Sequence, residues 1–574
     1  MSGNSTLAWG YSSRFQNRIN SLFTRILCIF LLLGVTLFVS ASPVEGAQNI
    51  YPVDSEIHEA ITYLYIAQGL SLPSTAGPWS KDELVGMFSR LDKVKLDASA
   101  LYTYDYVEKS LYAPNASFSM GLHLATELYL HANTTSYTEN TDWIYNYDSR
   151  KAPLSIPLEI SISELFYAYS NIELNNGKYY TIDSTISGSS PLYGKYTWTT
   201  NLFHFWRPEA IVLEANFPFR SFGSLGGKGW SFEMGRDKLS WGPGKTGNFL
   251  LGDHLQYHNQ GRFTAYGETM KFTFVTSFFP HPDEIFLNNS VPGNQSREIQ
   301  GIKMFMGYRL EWRIPGNKVG LAISESIMYQ SGNGPLDLRI LNPFMIYHNY
   351  YVLRNANSLI TLELDYTPVP SLNLYTQVAL DEYALANERN DPPVHPNAMA
   401  FMLGATYSRP YLKGILHLSL EGVYTDPYLY LRSKDGEGDQ LEDASDTLNY
   451  IVAIRRWYDN ELIYDQEYLG YRYGGDAVVG NLEVGYKEYG SFSLLGHLFF
   501  MAHGSINKES PWIMDQTDLA PSGNATFFFD VGFSGSCQLA KNWNAHAGLD
   551  LLARVNEWDP SYDVQLYMGV QFIL

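Results

Sequence analysis

The chain has 574 residues, with 59 acidic against 39 basic side chains, a formal charge of −20 and two cysteines. This acidic balance leaves no basic groove for nucleic acid, and two cysteines cannot staple a chain of such length. Apolar residues reach an ordinary 45%, but aromatics reach 15% with 43 tyrosines; this suits an outer-membrane barrel girdled by aromatics better than a secreted β-rich protein.

Arg14, Arg18 and Arg25 precede an uncharged apolar run from Ile26 to Val39, followed by small Ser40, Ala41 and Ser42. The pattern predicts a secretory signal over residues 1–41, with a second cleavage site as late as Ala47. The run is shorter than the roughly 20 residues a spanning helix needs. Cys28 opens it instead of closing it, which argues against lipid attachment. Removing the signal leaves Cys537 as the sole cysteine and a charge of −23, from 36 basic and 59 acidic residues. No later apolar run approaches membrane-helix length.

Residues 48–112 carry helical periodicity. Asp54 is placed to cap a helix with Ile57, Ala60, Ile61, Leu64 and Tyr65 on one face and Gly69 at its end. Ser80-Lys-Asp-Glu83 reads as a capping box opening a second helix striped by Leu84, Met87, Phe88 and Leu91. A third begins near Asp97 and carries Leu101, Tyr104 and Leu111. So small a three-helix bundle has a marginal core of its own, so it is expected to lean on a barrel as a periplasmic plug or cap.

From Phe118 the apolar period changes to two. Phe118, Met120, Leu122, Leu124, Leu128 and Leu130 alternate with Ser119, Gly121, His123, Glu127 and His131. Similar runs follow at 156–166, 211–219, 302–312, 360–366, 372–380, 399–407, 416–424, 482–486 and 527–533. The chain ends in mid-strand, with Tyr562, Val564, Leu566, Met568, Val570, Phe572 and Leu574 opposite Asp563, Gln565, Gly569 and Gln571. An unblunted edge of this kind is safe where the last strand pairs with the first. Residues 116–574 are therefore expected to form an all-β transmembrane β-barrel of about 16–18 antiparallel strands, at roughly 25 residues per strand and connection, below the small N-terminal α-helical bundle in sequence order. Polar stretches at 287–296, 388–396 and 431–446 read as surface loops.

One segment breaks the alternation. Trp241-Gly242-Pro243-Gly244 cannot continue a strand, because proline lacks the donor, so it is a tight turn or an inward fold presenting a tryptophan. It is followed by Met306-Gly-Tyr-Arg-Leu-Glu-Trp-Arg-Ile-Pro315, by Ser324-Glu325, by Leu341-Asn-Pro343 and by Gly470-Tyr-Arg-Tyr473. At these residues the chain resembles the capsule-assembly Wzi family of outer-membrane proteins, with the Arg309-Leu310-Glu311 core in its usual place and Gly69 and Trp79 in the helical start. After the turn this chain has Gly252-Asp-His-Leu-Gln-Tyr-His-Asn259 where the family is often asparagine-rich. The resemblance implies an 18-stranded barrel occluded by loops, a periplasmic helical bundle and a lectin-like role at the cell surface.

The residues allow the same reading directly. Sugars are held by aromatic faces, with acids, amides and arginine on their hydroxyls. Trp241, Arg309, Glu311, Arg472 and Asp476 are the candidate carbohydrate ligands, with Tyr308, Trp312, Tyr471 and Tyr473 nearby, on strands expected to share a lumen. If the apolar side meets lipid, Arg309 and Glu311 line the lumen while Tyr308 and Trp312 do not. Lumen Arg and Glu also form bracing ladders, and outward Trp and Tyr form girdles. No catalytic residue, metal ligand or cofactor is nominated: His254 and His258 would share a face only on a helix, and no hydrolase or zinc motif appears. The expected partners are surface or capsular polysaccharide and outer-membrane lipid. Peptidoglycan is a further candidate, through helices that also look like S-layer-homology modules. The alternative function is a porin or nutrient channel.

Overall fold

The computed structural model describes residues 43–44, 47–138, 140–146, 149–174, 197–202, 219–282, 301–331, 342, 346–347, 356–382, 396–431, 448–458, 461–510 and 519–574. The expected signal, most of the expected strand at 211–219 and most of the loops at 287–296, 388–396 and 431–446 lie outside them.

Twenty strands share one antiparallel sheet, and they make eighteen staves. Phe118–Met120 and His123–His131 form one stave, β1, since both pair with the next strand, whereas Trp198–Thr200 only extends the pairing of β1 at its far end. In chain order the others are β2 Leu154–Ile162, β3 Phe166–Leu174, β4 Ser221–Gly227, β5 Trp230–Asp237 and β6 His258–Tyr266. Next come β7 Met270–Phe279, β8 Ile302–Arg313, β9 Val319–Ser331, β10 Ala356–Val369, β11 Leu372–Glu382 and β12 Ala398–Tyr411. The last six are β13 Gly414–Thr425, β14 Ala477–Glu488, β15 Phe492–His503, β16 Thr526–Ala540, β17 Trp543–Asn556 and β18 Asp559–Ile573. β18 pairs with β1 from Gln565–His131 to Ile573–His123, and Leu574 and Leu122 exchange reciprocal N–H···O bonds of 2.9 Å. The mid-strand ending is thus the closing seam.

Two runs differ from their expected boundaries. The alternation at 156–166 crosses a hairpin, because the turn at 163–165 keeps the parity of its flanks. The run from Phe118 breaks at 121–122, where Gly121 lies against Pro157 and donates to its carbonyl.

The outer face is apolar and open: Leu310, Trp312, Ile323, Leu403, Leu420, Leu494, Phe533 and Val564 are all exposed. Inward-facing neighbours such as Arg309, Glu421, Asp530 and Gln565 are buried. This is the polarity of a barrel solvated by lipid. Where the wall needs room, rings lie flat over glycines directly across the ladder. Tyr375 faces Gly404, His417 faces Gly485 and Tyr567 faces Gly548. A β-carbon on these glycines would come within 2.0, 2.2 and 2.3 Å of the facing ring.

Connections at one end, 163–165, 228–229, 267–269, 314–318, 370–371, 412–413, 489–491 and 541–542, are short, as periplasmic turns are. The helices α1 Glu56–Gln68, α2 Lys81–Phe88 and α3 Ala98–Leu111 sit at this end. Their core of Ile61, Leu64, Leu84, Phe88, Val107 and Leu111 is completed by Ile415 at the start of β13 and Tyr489 in the β14–β15 turn. Backbone bonds Ser71 N–H to Asn317 O and Ser371 N–H to Ile66 O, both 2.7 Å, fix the seat. Asp54 does not cap α1; the N-cap is Ser55, and no side chain bonds the free amides. Of the capping box only half forms: Ser80 Oγ accepts the Glu83 N–H at 3.2 Å, while the Glu83 carboxylate turns away to Lys271 at 2.7 Å. A wall lysine outcompetes the box because it offers a buried full charge. His58 stacks on Trp79, with centroids 3.5 Å apart, and donates Nε2–H to the Ser74 carbonyl at 2.8 Å. Burial keeps this imidazole neutral, with its pKa brought down to about 3.

Gly404→Ala should destabilise the barrel by about 1–3 kcal/mol through overpacking against Tyr375. Gly422→Ala, whose new methyl would meet nothing within 4 Å, should be close to neutral. Urea midpoints of the two variants in detergent micelles check this.

Candidate functional site

The lumen is entered from both ends. From the helical side, residues 71–80 run as a strap along the inner wall, with all but Thr75 buried. Each wall strand beside the strap holds it. Arg262 of β6 donates to Pro78 O at 2.7 Å, Lys271 of β7 to Ala76 O at 2.7 Å, and Arg313 of β8 to Leu72 O at 2.8 Å. In the other direction, Thr75 donates its N–H to Glu311 at 3.1 Å and Leu72 donates to Asp365 at 2.7 Å.

From the opposite end, the β5–β6 connection folds inward and meets the strap. Ser240–Trp241 pairs antiparallel with Ala76–Gly77, and Gly242 donates to Thr75 O at 3.0 Å. The Trp-Gly-Pro-Gly segment is therefore an inward fold that docks on the strap. Beyond it, Glu421 of β13 accepts from Lys245 N–H at 2.7 Å, Thr246 N–H at 2.8 Å, Thr246 Oγ1 at 2.6 Å and Tyr375 OH at 2.7 Å. The β13–β14 connection supplies a second layer, including an inner hairpin of Ile451–Tyr458 and Glu461–Tyr468. Asp381 of β11 accepts the Tyr430 N–H at 2.8 Å, and Tyr430 OH donates to Phe249 O at 2.5 Å.

These inner segments bury an apolar core of their own. Trp241, Phe249, Leu251, Tyr430, Tyr450 and Leu469 pack on wall residues Val275, Phe305, Met328, Leu359, Met402 and Val479. Strand alternation did not reveal this, because it presumes a polar lumen; here inward positions beside the plug are apolar.

Four of the five candidate ligands are part of this plug or its anchors. Trp241 is 1% exposed and packs near Gly307, whose β-carbon would lie 3.4 Å from its ring. Arg309 donates to Glu311 at 3.1 Å, to both Glu363 oxygens at 2.5 and 2.9 Å, to Thr75 Oγ1 at 2.7 Å and to Ser324 Oγ at 3.3 Å. Arg309 and Glu311 do face inward, and Trp312 is exposed outward. Asp476 is fully buried; its carboxylate takes the Ser522 N–H at 2.7 Å, Ser522 Oγ at 2.6 Å and the Ile506 N–H at 2.9 Å.

Arg472 is exposed, at the seam where the plug meets β15, next to half-buried Tyr473. The Tyr473 ring lies 5.4 Å from Phe499 and 5.5 Å from Tyr471. Tyr471, Arg472 and Asp476 are not on a strand, contrary to expectation. Gly470, Gly474 and Gly475 interrupt the ladder, and the Tyr471 N–H is satisfied by the Tyr430 hydroxyl at 2.9 Å. His254 and His258 likewise serve structure: His254 donates to Tyr468 O at 2.7 Å, and His258 starts β6.

No family model and no curated protein matches the chain. Among solved structures it is similar to Wzi of Escherichia coli, described as an outer membrane protein involved in group 1 capsule assembly and a carbohydrate-binding β-barrel. The TM-score is 0.55 at 14% identity, covering 91% of this chain and 99% of that one. It is also similar, at TM-scores of 0.37 and 0.33, to OccK2 (OpdF) of Pseudomonas aeruginosa and the outer membrane channel DcaP of Acinetobacter baumannii. Identities are 11% and 8%, with 80% of this chain and 97% of each of those covered. The fold is that of an outer-membrane barrel, and with its lipid-facing exterior it places the protein in the outer membrane.

Arg309→Ala should cost about 3–5 kcal/mol, because it removes the guanidinium to which the buried Glu311 and Glu363 carboxylates are bonded. Urea unfolding in micelles measures it; a loss below about 1 kcal/mol would contradict the bracing role.

Proposed function

We propose that this barrel holds a surface polysaccharide at the outer membrane and is a binder, not an enzyme. The observation that carries the reading is the strap-to-loop pairing at Ala76–Gly77 and Ser240–Trp241, which spans the lumen where a pore would need open space. A plug that is hydrogen-bonded from both sides is a rigid platform, and a platform suits a ligand held at its outer surface. In this reading Arg472, Tyr473 and Phe499 receive the sugar, with the aromatic faces against C–H surfaces and the guanidinium on hydroxyls or uronate groups. Trp241, Arg309, Glu311 and Asp476 keep the platform in place. The similarity to a carbohydrate-binding barrel supports the same direction.

A channel is the second reading, and one observation favours it. Ser493, Ser534, Asn544 and Gln571 form a half-buried polar strip on β15–β18. Two measurements on the full chain in detergent separate the readings. The binder reading expects retention of acidic capsular polysaccharide on a glycan array, weakened about tenfold when a contact of roughly 1.4 kcal/mol is removed by Arg472→Ala or Tyr473→Ala. It expects no steady conductance in planar bilayers. Steady single-channel conductance without glycan retention would establish the channel instead.

A further inference from the structure

On the inner wall of β15, β16 and β17, three side chains far apart in sequence converge. His497 on β15 faces Gly532 on β16 directly across the ladder, and Gly532 faces Asp550 on β17. His497, Gly532 and Asp550 therefore stand at one level on three consecutive staves, and Asp530 lies two residues along β16 with its side chain on the same face. His497 Nε2 is 2.7 Å from Asp530 Oδ2 and 3.8 Å from Asp550 Oδ1. The ligating atoms of the three residues all lie within 4.8 Å of one another, the one such His/Cys/Asp/Glu group among the described residues.

Two features separate this cluster from the bracing pairs. First, its two acids have one imidazole between them. Asp530 and Asp550 are 5% and 4% exposed, yet Asp530 Oδ1 is buried with no hydrogen-bond partner and the Asp550 carboxylate approaches His497 only to 3.8 Å. At Glu421 and Glu363, by contrast, the buried wall carboxylate is met by backbone amides or by an arginine. Two buried carboxylates sharing a single imidazole are left with uncompensated negative charge. Second, the space between them is kept clear. A β-carbon at position 532 would lie 2.1 Å from His497 Cε1 and 2.3 Å from Asp550 Oδ1. Glycine at the middle stave is what lets the outer two meet.

We propose that His497, Asp530 and Asp550 bind a divalent transition-metal ion on the lumen wall. One imidazole and two carboxylates form a set suited to zinc or manganese, whereas magnesium and calcium prefer oxygen alone. Ligands about 2.0–2.2 Å from a zinc ion are at most about 4.4 Å apart, so closing the observed spans takes only small side-chain adjustments. The ion supplies the positive charge that the two acids lack. His497, the most exposed of the three, marks the side open to the lumen, where a fourth position stays available to water or an oxygen ligand.

The test uses the full chain in detergent, stripped with EDTA and then given zinc chloride. Wild type should retain one zinc per chain after desalting, show an anomalous diffraction peak between the three residues, and melt at a higher temperature with zinc than with EDTA. Asp550→Asn and His497→Gln should lose zinc retention and the zinc-dependent melting shift. Their heat-modifiable gel migration should stay that of a folded barrel. Failure of wild type to retain zinc, or equal retention by both folded variants, would overturn the site.

Discussion

The structure depends on lumen-facing carboxylates that accept backbone N–H groups from segments entering the barrel. Irregular backbone at membrane depth is tolerated only when its polar groups find partners inside the protein. Asp365 and Glu311 take the strap amides of Leu72 and Thr75. Glu421 takes Lys245 and Thr246, and Asp381 takes Tyr430. On the opposite wall, Glu127 takes Lys151 while Asp563 takes Ala132 and Asn133. Each such charge-assisted bond contributes about 1.5–3 kcal/mol, and each would leave a costly orphan if lost. The net acidity of the chain has a structural use here, since acids supply the acceptors that the plug amides need.

This anchoring explains why the barrel holds a hydrophobic core in a space that is usually wet. Once the carboxylates fix the backbone of the inner segments, Trp241, Phe249 and Leu251 are held against Phe305, Met328 and Met402, and apolar burial adds to the same arrangement. Arg309 joins the two systems. Its guanidinium neutralises Glu311 and Glu363 while also bonding Thr75, so the wall's charge and the strap's position are set by one side chain. The strip around His497, Asp530 and Asp550 lies outside this scheme, having acids but no amides to fill them.

Much of the wall was legible in the chain alone, for physical reasons. Strand periodicity survives wherever one face meets lipid, so Ile302–Arg313 and the terminal strand were readable almost to their ends. The inward aim of Arg309 and Glu311 follows from the same parity, and the break in the ladder at Trp241 follows from proline and glycine, which fitted a tight turn as well as the inward fold observed. What parity does not carry is which inward residues meet protein. Arg309 in a plugged barrel and Arg309 in an open one have the same neighbours in sequence. Asp476 read as a sugar ligand because an acid beside Gly-Tyr-Arg-Tyr suits one, whereas its oxygens hold Ser522 and Ile506, contacts made across a distant connection. The His497–Asp530–Asp550 group was invisible for a related reason: its spacing is that of staves around a barrel, which no short motif encodes.

Hydrogen exchange of backbone amides in the folded, detergent-bound barrel tests the central claim most directly. The account predicts that segments 71–79 and 240–252 exchange as slowly as the barrel strands, and that Glu421→Ala speeds exchange in 240–252 while leaving β8 and β9 protected. Exchange of those segments at the rate of exposed loops in the unaltered protein would contradict it.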